Sequence, residues 1–217
     1  MEEKFLTVLV YALPIIFAAT VHEVAHGYAA RYFGDMTATA QGRLTLNPAA
    51  HIDPIGTILL PLVMYFAIGF AIGYPRPIPI DPRQIRGPRS NVALVLSAGV
   101  AANFVMAFLW LVFGILLAYF NVTEVYFHRV AYAGVIVNVL WIAYNLLPLP
   151  PVDGGQIIAQ LLPLPLADRY QRIAPYGFFI IIGLAVLGLL QYWLIPVMGM
   201  TQGALNLLAS PLTFLLQ

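Results

Sequence analysis

The sequence predicts an all-α polytopic membrane protein, and three observations carry that prediction. Of its 217 residues, 61% are hydrophobic and 9% are charged, and the mean hydropathy is +0.87. So few charges cannot cover a water-soluble globule, and several apolar runs are long enough to span a bilayer. The runs follow one another closely, so we expect a single membrane-embedded domain over residues 1–217. We expect about five to six transmembrane or re-entrant helices, with short extended or β segments near the functional site.

The first membrane helix is predicted over residues 5–33. At about 1.5 Å of rise per residue this run can cross a bilayer with some tilt. Pro14 predicts a kink inside the helix, and Gly34 predicts its end. Residues 35–53 are too polar to span, and their alternation of threonine and leucine around Gly42 predicts a short extended hairpin.

The next apolar run, residues 54–73, leads into a loop that cannot be helical. Proline at every second position from 75 to 79 imposes an extended backbone. This loop holds the densest positive patch of the sequence, so we expect it to face the cytoplasm. The patch consists of Arg76, Arg83, Arg86 and Arg89. If residues 34, 74 and 148 all emerge on that face, the run 54–73 enters and leaves on one side; a full crossing is the alternative.

Three further membrane segments and a short final helix are predicted. Residues 91–119 cross away from the arginine-rich face and residues 130–147 cross back. After a loop on the arginine-rich face, residues 174–195 cross outward again. Residues 203–216 form a short, partly polar final helix.

Charge and cysteine content restrict the partners and the metal ligands. A net charge of +1 gives no case for a nucleic-acid partner. The absence of cysteine excludes disulfides and thiolate metal sites, which leaves histidine as the soft ligand for a metal such as zinc. The four histidines are His22, His26, His51 and His128.

Residues 20–28 place two histidines and a glutamate inside the first apolar run. In a helix, His22 and His26 lie on one face and can bind one metal ion, whereas Glu23 is rotated by about 100°. Glu23 is therefore poorly placed as a third ligand but can act as a general base toward water at that metal, as in H-E-x-x-H zinc hydrolases. The plainer interpretation, two hydrogen-bonded packing histidines, leaves a carboxylate at membrane depth uncompensated at a cost of about 2.5 kcal/mol or more.

A catalytic zinc site usually has three protein ligands and one open position, so a third ligand is required. The candidates are Asp153, His51, Asp53 and His128. Asp153 is favoured because it follows a proline-rich break and precedes two glycines, whose backbone can bend the carboxylate into the membrane interior. The alternative for Asp153 is an ordinary helix N-cap.

These elements resemble the site-2 protease family of intramembrane zinc metalloproteases. His22-Glu23-Val24-Ala25-His26 matches the family's HExxH, and Asn145-Leu-Leu-Pro148 through Asp153-Gly154 matches its N-x-x-P…DG element. Residues 42–48, residues 51–56 and the proline-rich stretch resemble the short prokaryotic branch, which lacks PDZ and CBS domains. One departure lies at Ala98–Asn103, where family members often have A-G-P-x-x-N.

The resemblance implies one Zn²⁺ ion bound by His22, His26 and Asp153, with Glu23 activating water. It implies a catalytic core over about 5–155, followed by C-terminal helices over 156–217. The substrate would be a transmembrane segment of another protein, cut near the cytoplasmic side of the cell membrane. Asn145 and Asn103 can donate to a developing oxyanion or hold a ligand in place, although bonding another helix is the plainer role for Asn103.

A helical substrate must unwind before its carbonyls can be attacked, and the extended segments 42–48 and 74–80 offer edges with which an unwound strand can pair. Two other functions stay open: a membrane transporter of metal ions or protons, and a catalytically silent zinc-binding protein. The spans at 54–73, 91–119 and 130–147 hold no acidic residue or histidine that would form a relay. A purely structural zinc site has no need of Glu23.

Overall fold

The computed structural model describes residues 2–68 and 73–212, and within them the regular structure is helical throughout. No strand occurs in these ranges, so the β character predicted around Gly42 is wrong, and residues 43–47 have no regular secondary structure. The helices are α1 Glu2–Tyr32, α2 Thr37–Ala40, α3 Leu60–Ile68, α4 Arg89–Tyr119, α5 Val125–Asn145, α6 Asp153–Leu161, α7 Leu164–Gln171, α8 Ala174–Val186 and α9 Gln191–Ala209.

Three of the described helices are long and apolar enough to cross a membrane: α1 from Leu6, α4 and α5. Their positions agree with the crossings predicted at 5–33, 91–119 and 130–147, although α4 and α5 each begin earlier. The three helices pack against one another and form the centre of the molecule. Small residues such as Ala107 and Ala133, both fully buried, allow this close packing.

The crossing predicted over 174–195 is instead a bent pair. Helix α8 ends at Val186, α9 starts at Gln191, and their axes differ by 90°. Gly188 between them has φ of +68°, a left-handed conformation that ends a helix and that other residues rarely adopt. The predicted final helix over 203–216 is also wrong at its start, because α9 is continuous to Ala209; residues 213–216 lie outside the described ranges.

Hydrogen bonds join the start of the run 54–73 to the residues that follow it. A π-helical turn, Pro54–Leu59, leads into α3, which at nine residues is too short to span. The Tyr74 amide donates to Gly56 O at 3.0 Å, and the Arg76 amide donates to His51 O at 2.8 Å. Both ends of the run therefore lie side by side, as the first of the two topologies requires; residues 69–72 are outside the described chain.

The loop before α4 contacts the end of α1, and the start of α4 contacts the end of α6. The Arg86 amide donates to Phe33 O at 2.8 Å, just beyond the end of α1. The Arg89 guanidinium donates to Ala159 O at 2.5 Å and Leu162 O at 2.9 Å, at the C-terminus of α6. The first of these bonds agrees with the expectation that residue 34 and the arginine-rich loop lie on one face. On this face Arg83 hydrogen-bonds Asp81, which lowers the pKa of Asp81 to about 2.

Candidate metal centre

Helix α1 brings His22 and His26 together on its face toward α4. Both side chains are buried, at 3% and 4% exposure. Their Nε2 atoms lie 3.1 Å apart, as expected for residues one turn apart on the same helix face.

Helix α6 supplies the carboxylate. Asp153 is its first residue, and Asp153 Oδ2 lies 3.0 Å from His22 Nε2 and 3.3 Å from His26 Nε2. The position before the helix is taken by Val152, and no side chain caps the helix by a hydrogen bond. The alternative role of Asp153 as an N-cap is therefore wrong.

The two glycines after Asp153 allow its position. A Cβ added to Gly154 would overlap the backbone of Leu146, and one added to Gly155 would overlap the backbone of Leu149 and Pro150. The first turn of α6 thus packs directly on the proline-rich segment. This close packing turns the chain back, so that Asp153 faces the end of α1.

The hydrogen bonds of the two rings determine which nitrogen faces Asp153. His26 Nδ1 donates to the backbone carbonyl of Val95 at 2.9 Å, and His22 Nδ1 donates to Asn103 Oδ1 at 2.6 Å. Each neutral ring that donates from Nδ1 has a lone pair at Nε2. Asp153 Oδ2 is buried and has no partner among the described residues other than the two rings. With both rings neutral, three lone-pair atoms face one another, an arrangement that a bound cation relieves.

The donor set fits zinc. Two imidazole nitrogens and one carboxylate oxygen, all within 4.8 Å of one another, match the three protein ligands of a catalytic site. The second nitrogen of each ring is hydrogen-bonded, which is the usual way in which a ligating histidine is oriented. Within residues 2–68 and 73–212, this is the one such group of three histidine or acidic side chains.

A chain of buried amides connects His22 to α5. Asn103 Nδ2 donates to Ala18 O at 3.2 Å and to Asn138 Oδ1 at 2.8 Å, and Asn138 Nδ2 donates to Gly134 O at 2.8 Å. These bonds leave Asn103 Oδ1 facing His22. Asn103 thus bonds other helices and also contacts a ring of the centre. Asn138 was not predicted, although a fully buried amide in an apolar span is a signal of such a role.

Glu23 lies beside the centre and is 8% exposed. Its Oε2 accepts a hydrogen bond from the Ile78 amide at 2.7 Å. In the part of the chain that the structure describes, nothing donates a hydrogen bond to Oε1. Glu23 and the three ligand residues line the same cavity.

That cavity has a volume of about 870 Å³ and is mostly apolar. Its walls come from the proline-rich loop, the end of α5, the start of α6 and the bend between α8 and α9. They include Tyr74, Ile78, Trp141, Tyr144, Asn145, Phe178, Leu190 and Leu194. An apolar cavity with a few convergent polar groups is typical of a binding site.

The other candidate ligands lie outside the cluster. His51 is buried and donates from Nε2 to Thr45 O at 2.8 Å. His128 donates to Val122 O at 2.7 Å, in the loop that joins α4 and α5. Asp53 caps the turn at Pro54 by accepting from two backbone amides.

Asn145 is the last residue of α5 and lines the cavity. One of its amide hydrogens donates to Trp141 O at 3.0 Å, within α5. The side-chain amide has a second hydrogen that this contact does not use.

No family model and no solved structure matches the chain. It is 37% identical over 195 residues to the protein named "Putative zinc metalloprotease YwhC" of Bacillus subtilis, covering 86% of this chain and 84% of that protein. Proteins named "Putative zinc metalloprotease Rip2" are 32% identical in Mycolicibacterium smegmatis (80% and 65% covered) and 29% identical in Mycobacterium tuberculosis (83% and 71% covered). The similarity extends over most of both chains, and the HExxH and DG elements meet at one buried centre. The chain therefore belongs to the site-2 protease family.

Proposed function

We propose that this protein is an intramembrane zinc metalloprotease that hydrolyses a peptide bond in or near a transmembrane segment of another protein. The observation that supports this most directly is the convergence of three ligand atoms, two imidazole nitrogens and one carboxylate oxygen, on the wall of an apolar cavity that also holds Glu23. The names of the relatives support the same reaction class.

In this proposal His22, His26 and Asp153 hold one Zn²⁺ ion. A zinc ion bound there would polarise the scissile carbonyl and would lower the pKa of its bound water to about 7. Glu23, held through Oε2, accepts a proton from the attacking water at Oε1 and passes it to the leaving amine. The second amide hydrogen of Asn145 can donate to the oxyanion that develops on the substrate.

The lining of the cavity supports an apolar substrate segment. Aromatic and aliphatic side chains cover most of its wall, so it suits an apolar segment that has locally lost its helix. The arginines of residues 76–89 lie on the same face as the centre, which supports cleavage near the cytoplasmic side of the cell membrane. Pairing of the unwound substrate with residues 42–48 remains a prediction.

The proposal is tested by reconstituting the full chain in vesicles with a model transmembrane substrate. Cleavage should be lost in Glu23→Gln, with zinc retained, and lost reversibly on chelation. Glu124→Gln is a matched control, because Glu124 is exposed and makes no capping hydrogen bond at the start of α5. Zinc flux without cleavage would identify a transporter instead, and zinc binding with neither activity would identify a silent binding protein.

A further inference from the structure

The alternating prolines of the loop leave it with few amides, and the structure accounts for each of them. Pro75, Pro77 and Pro79 have no amide hydrogen. The intervening amides all donate to the protein: Tyr74 to Gly56 O, Arg76 to His51 O and Ile78 to Glu23 Oε2. Over residues 74–79, no amide remains to donate to another strand.

This bonding argues against amide-mediated pairing of a substrate strand with residues 74–79, which are most of the segment 74–80 expected to offer a pairing edge. A strand is added through both donors and acceptors of the edge, and proline is a common means of blocking such an edge. The segment therefore has another role, and its inward amides indicate which one.

The Ile78 amide is in a suitable position to hold a buried carboxylate. Glu23 is almost fully buried. Among the described residues, the Ile78 amide is the group that donates a hydrogen bond to its carboxylate. A carboxylate on a flexible side chain needs such a bond both to offset its desolvation and to select one rotamer.

The segment is anchored on both sides of Ile78. The Arg43 guanidinium donates to Arg76 O at 3.1 Å and to Pro77 O at 3.2 Å. The Ile78 side chain is 6% exposed and packs against Gly27, where an added Cβ would lie 2.5 Å from Ile78 Cδ1. These contacts hold the segment against α1. The Ile78 side chain lies at Gly27, and the Ile78 amide lies at Glu23, one helical turn away.

We propose that the backbone amide of Ile78 is a positioning group for Glu23, and that the alternating prolines make residues 74–79 a support for the general base. This inference rests on the proposed function of Glu23. It assigns a role to a main-chain group, which only a change to proline removes.

Amide exchange tests the contact without reference to activity. Because of the prolines, the stretch 75–79 contains two exchangeable amides, those of Arg76 and Ile78. In the full chain in nanodiscs, Glu23→Ala should speed exchange at Ile78 about tenfold or more, the effect of losing one charge-assisted hydrogen bond, and should leave Arg76 unchanged. An Ile78 amide that exchanges as slowly as in the unmodified protein would overturn the inference.

Kinetics test the consequence. Ile78 precedes proline and so is already restricted to extended conformations, which proline also adopts. Relative to Ile78→Val, which keeps the amide, Ile78→Pro should lower kcat about tenfold or more with little change in KM or in zinc affinity.

The outcomes separate this inference from the proposed function. Equal kcat in the two Ile78 variants, with Glu23→Gln inactive, would overturn the positioning role and leave the protease intact. Full activity in Glu23→Gln would overturn the proposed function instead. If Ile78→Pro fails to fold, the exchange measurement, which leaves the segment unaltered, decides.

Discussion

At the residue scale, Gly99 on α4 shows how closely the centre is packed. An added Cβ would lie 2.5 Å from His26 Nε2 and 2.6 Å from His22 Cε1. Only a glycine lets α4 approach both rings at this distance. The residue matters for the space that it leaves free, a property that composition and spacing do not reveal.

Gly99→Ala should therefore displace the imidazoles and weaken zinc binding about tenfold to a hundredfold, as changes around metal ligands usually do. Competition with a chromophoric chelator measures the dissociation constant. Gly114→Ala on the same helix is the matched control, since its Cβ would meet Ala131 at an ordinary 3.6 Å. Equal zinc affinity in the two variants would contradict the argument.

Asn103 should act on the centre through the orientation of His22. Asn103→Ala removes the acceptor of His22 Nδ1, so we expect zinc affinity to fall about tenfold to a hundredfold. The absorption spectrum of the cobalt-substituted protein should change as well, because the ring is free to rotate. Ser97→Ala is the control, since the Ser97 hydroxyl bonds Ala93 O within α4. An unaltered cobalt spectrum in Asn103→Ala would count against the role.

Much of the centre can be read from the sequence where its residues are close in the chain. His22, Glu23 and His26 lie within one helical turn, so helix periodicity alone brings them together. Asp153 lies far along the chain. The proline-rich break and the two glycines favoured it among four candidates, but no periodicity places it beside the histidines. Asn138 and Gly99 act through contacts between helices, for which a single sequence holds no spacing signal.

At the scale of elements, Arg89 joins α4 to α6. The sequence predicted it only as part of a topogenic positive patch. The structure adds three contacts with the end of α6, namely Ala159 O, Leu162 O and the Gln160 side chain. A cation at a helix C-terminus satisfies carbonyls that have no partner within the helix.

Arg89→Lys should keep the positive charge but lose the planar set of donors, which lysine cannot replace. We expect a destabilisation of about 2 kcal/mol, visible as a lower Tm, with unchanged orientation in the membrane. Arg83→Lys is the control, because Arg83 is exposed and pairs only with nearby Asp81 and leaves α6 untouched. Equal Tm values for the two variants would refute the role of Arg89.

Element prediction succeeded for long apolar runs and failed where backbone geometry decides. α1, α4 and α5 follow from hydropathy, since a span needs about 20 apolar residues. Residues 174–195 are also an apolar run of spanning length, but Gly188 adopts a positive φ and the chain bends there. Residues 43–47 have an alternating pattern that is typical of a strand. A strand ladder needs main-chain hydrogen bonds, whereas here the Arg43 side chain donates to the carbonyls of Arg76 and Pro77.

At the scale of the whole molecule, the centre links α1 to α6. A ligand that binds only the folded state stabilises it by mass action, about 4 kcal/mol at a thousandfold excess over the dissociation constant. Chelation should therefore lower the Tm, and adding zinc back should restore it. Asp153→Asn should remove this difference, whereas His128→Gln, far from the cluster, should keep it. A Tm that ignores chelation in the unmodified protein would contradict the link.

The amides of Asn103 and Asn138 mark a boundary along the α4–α5 pair. Between residues 104 and 137, every buried position holds an apolar side chain or glycine. In saturation mutagenesis of the two helices, tolerance to substitution should therefore differ between the apolar positions and the two asparagines. Beyond the boundary, any aliphatic residue of similar volume should be accepted, whereas at the two asparagines even isosteric leucine should be rejected. The apolar half of the helix pair should therefore tolerate sequence change, whereas the two asparagines should not, because their hydrogen bonds depend on the side-chain amide.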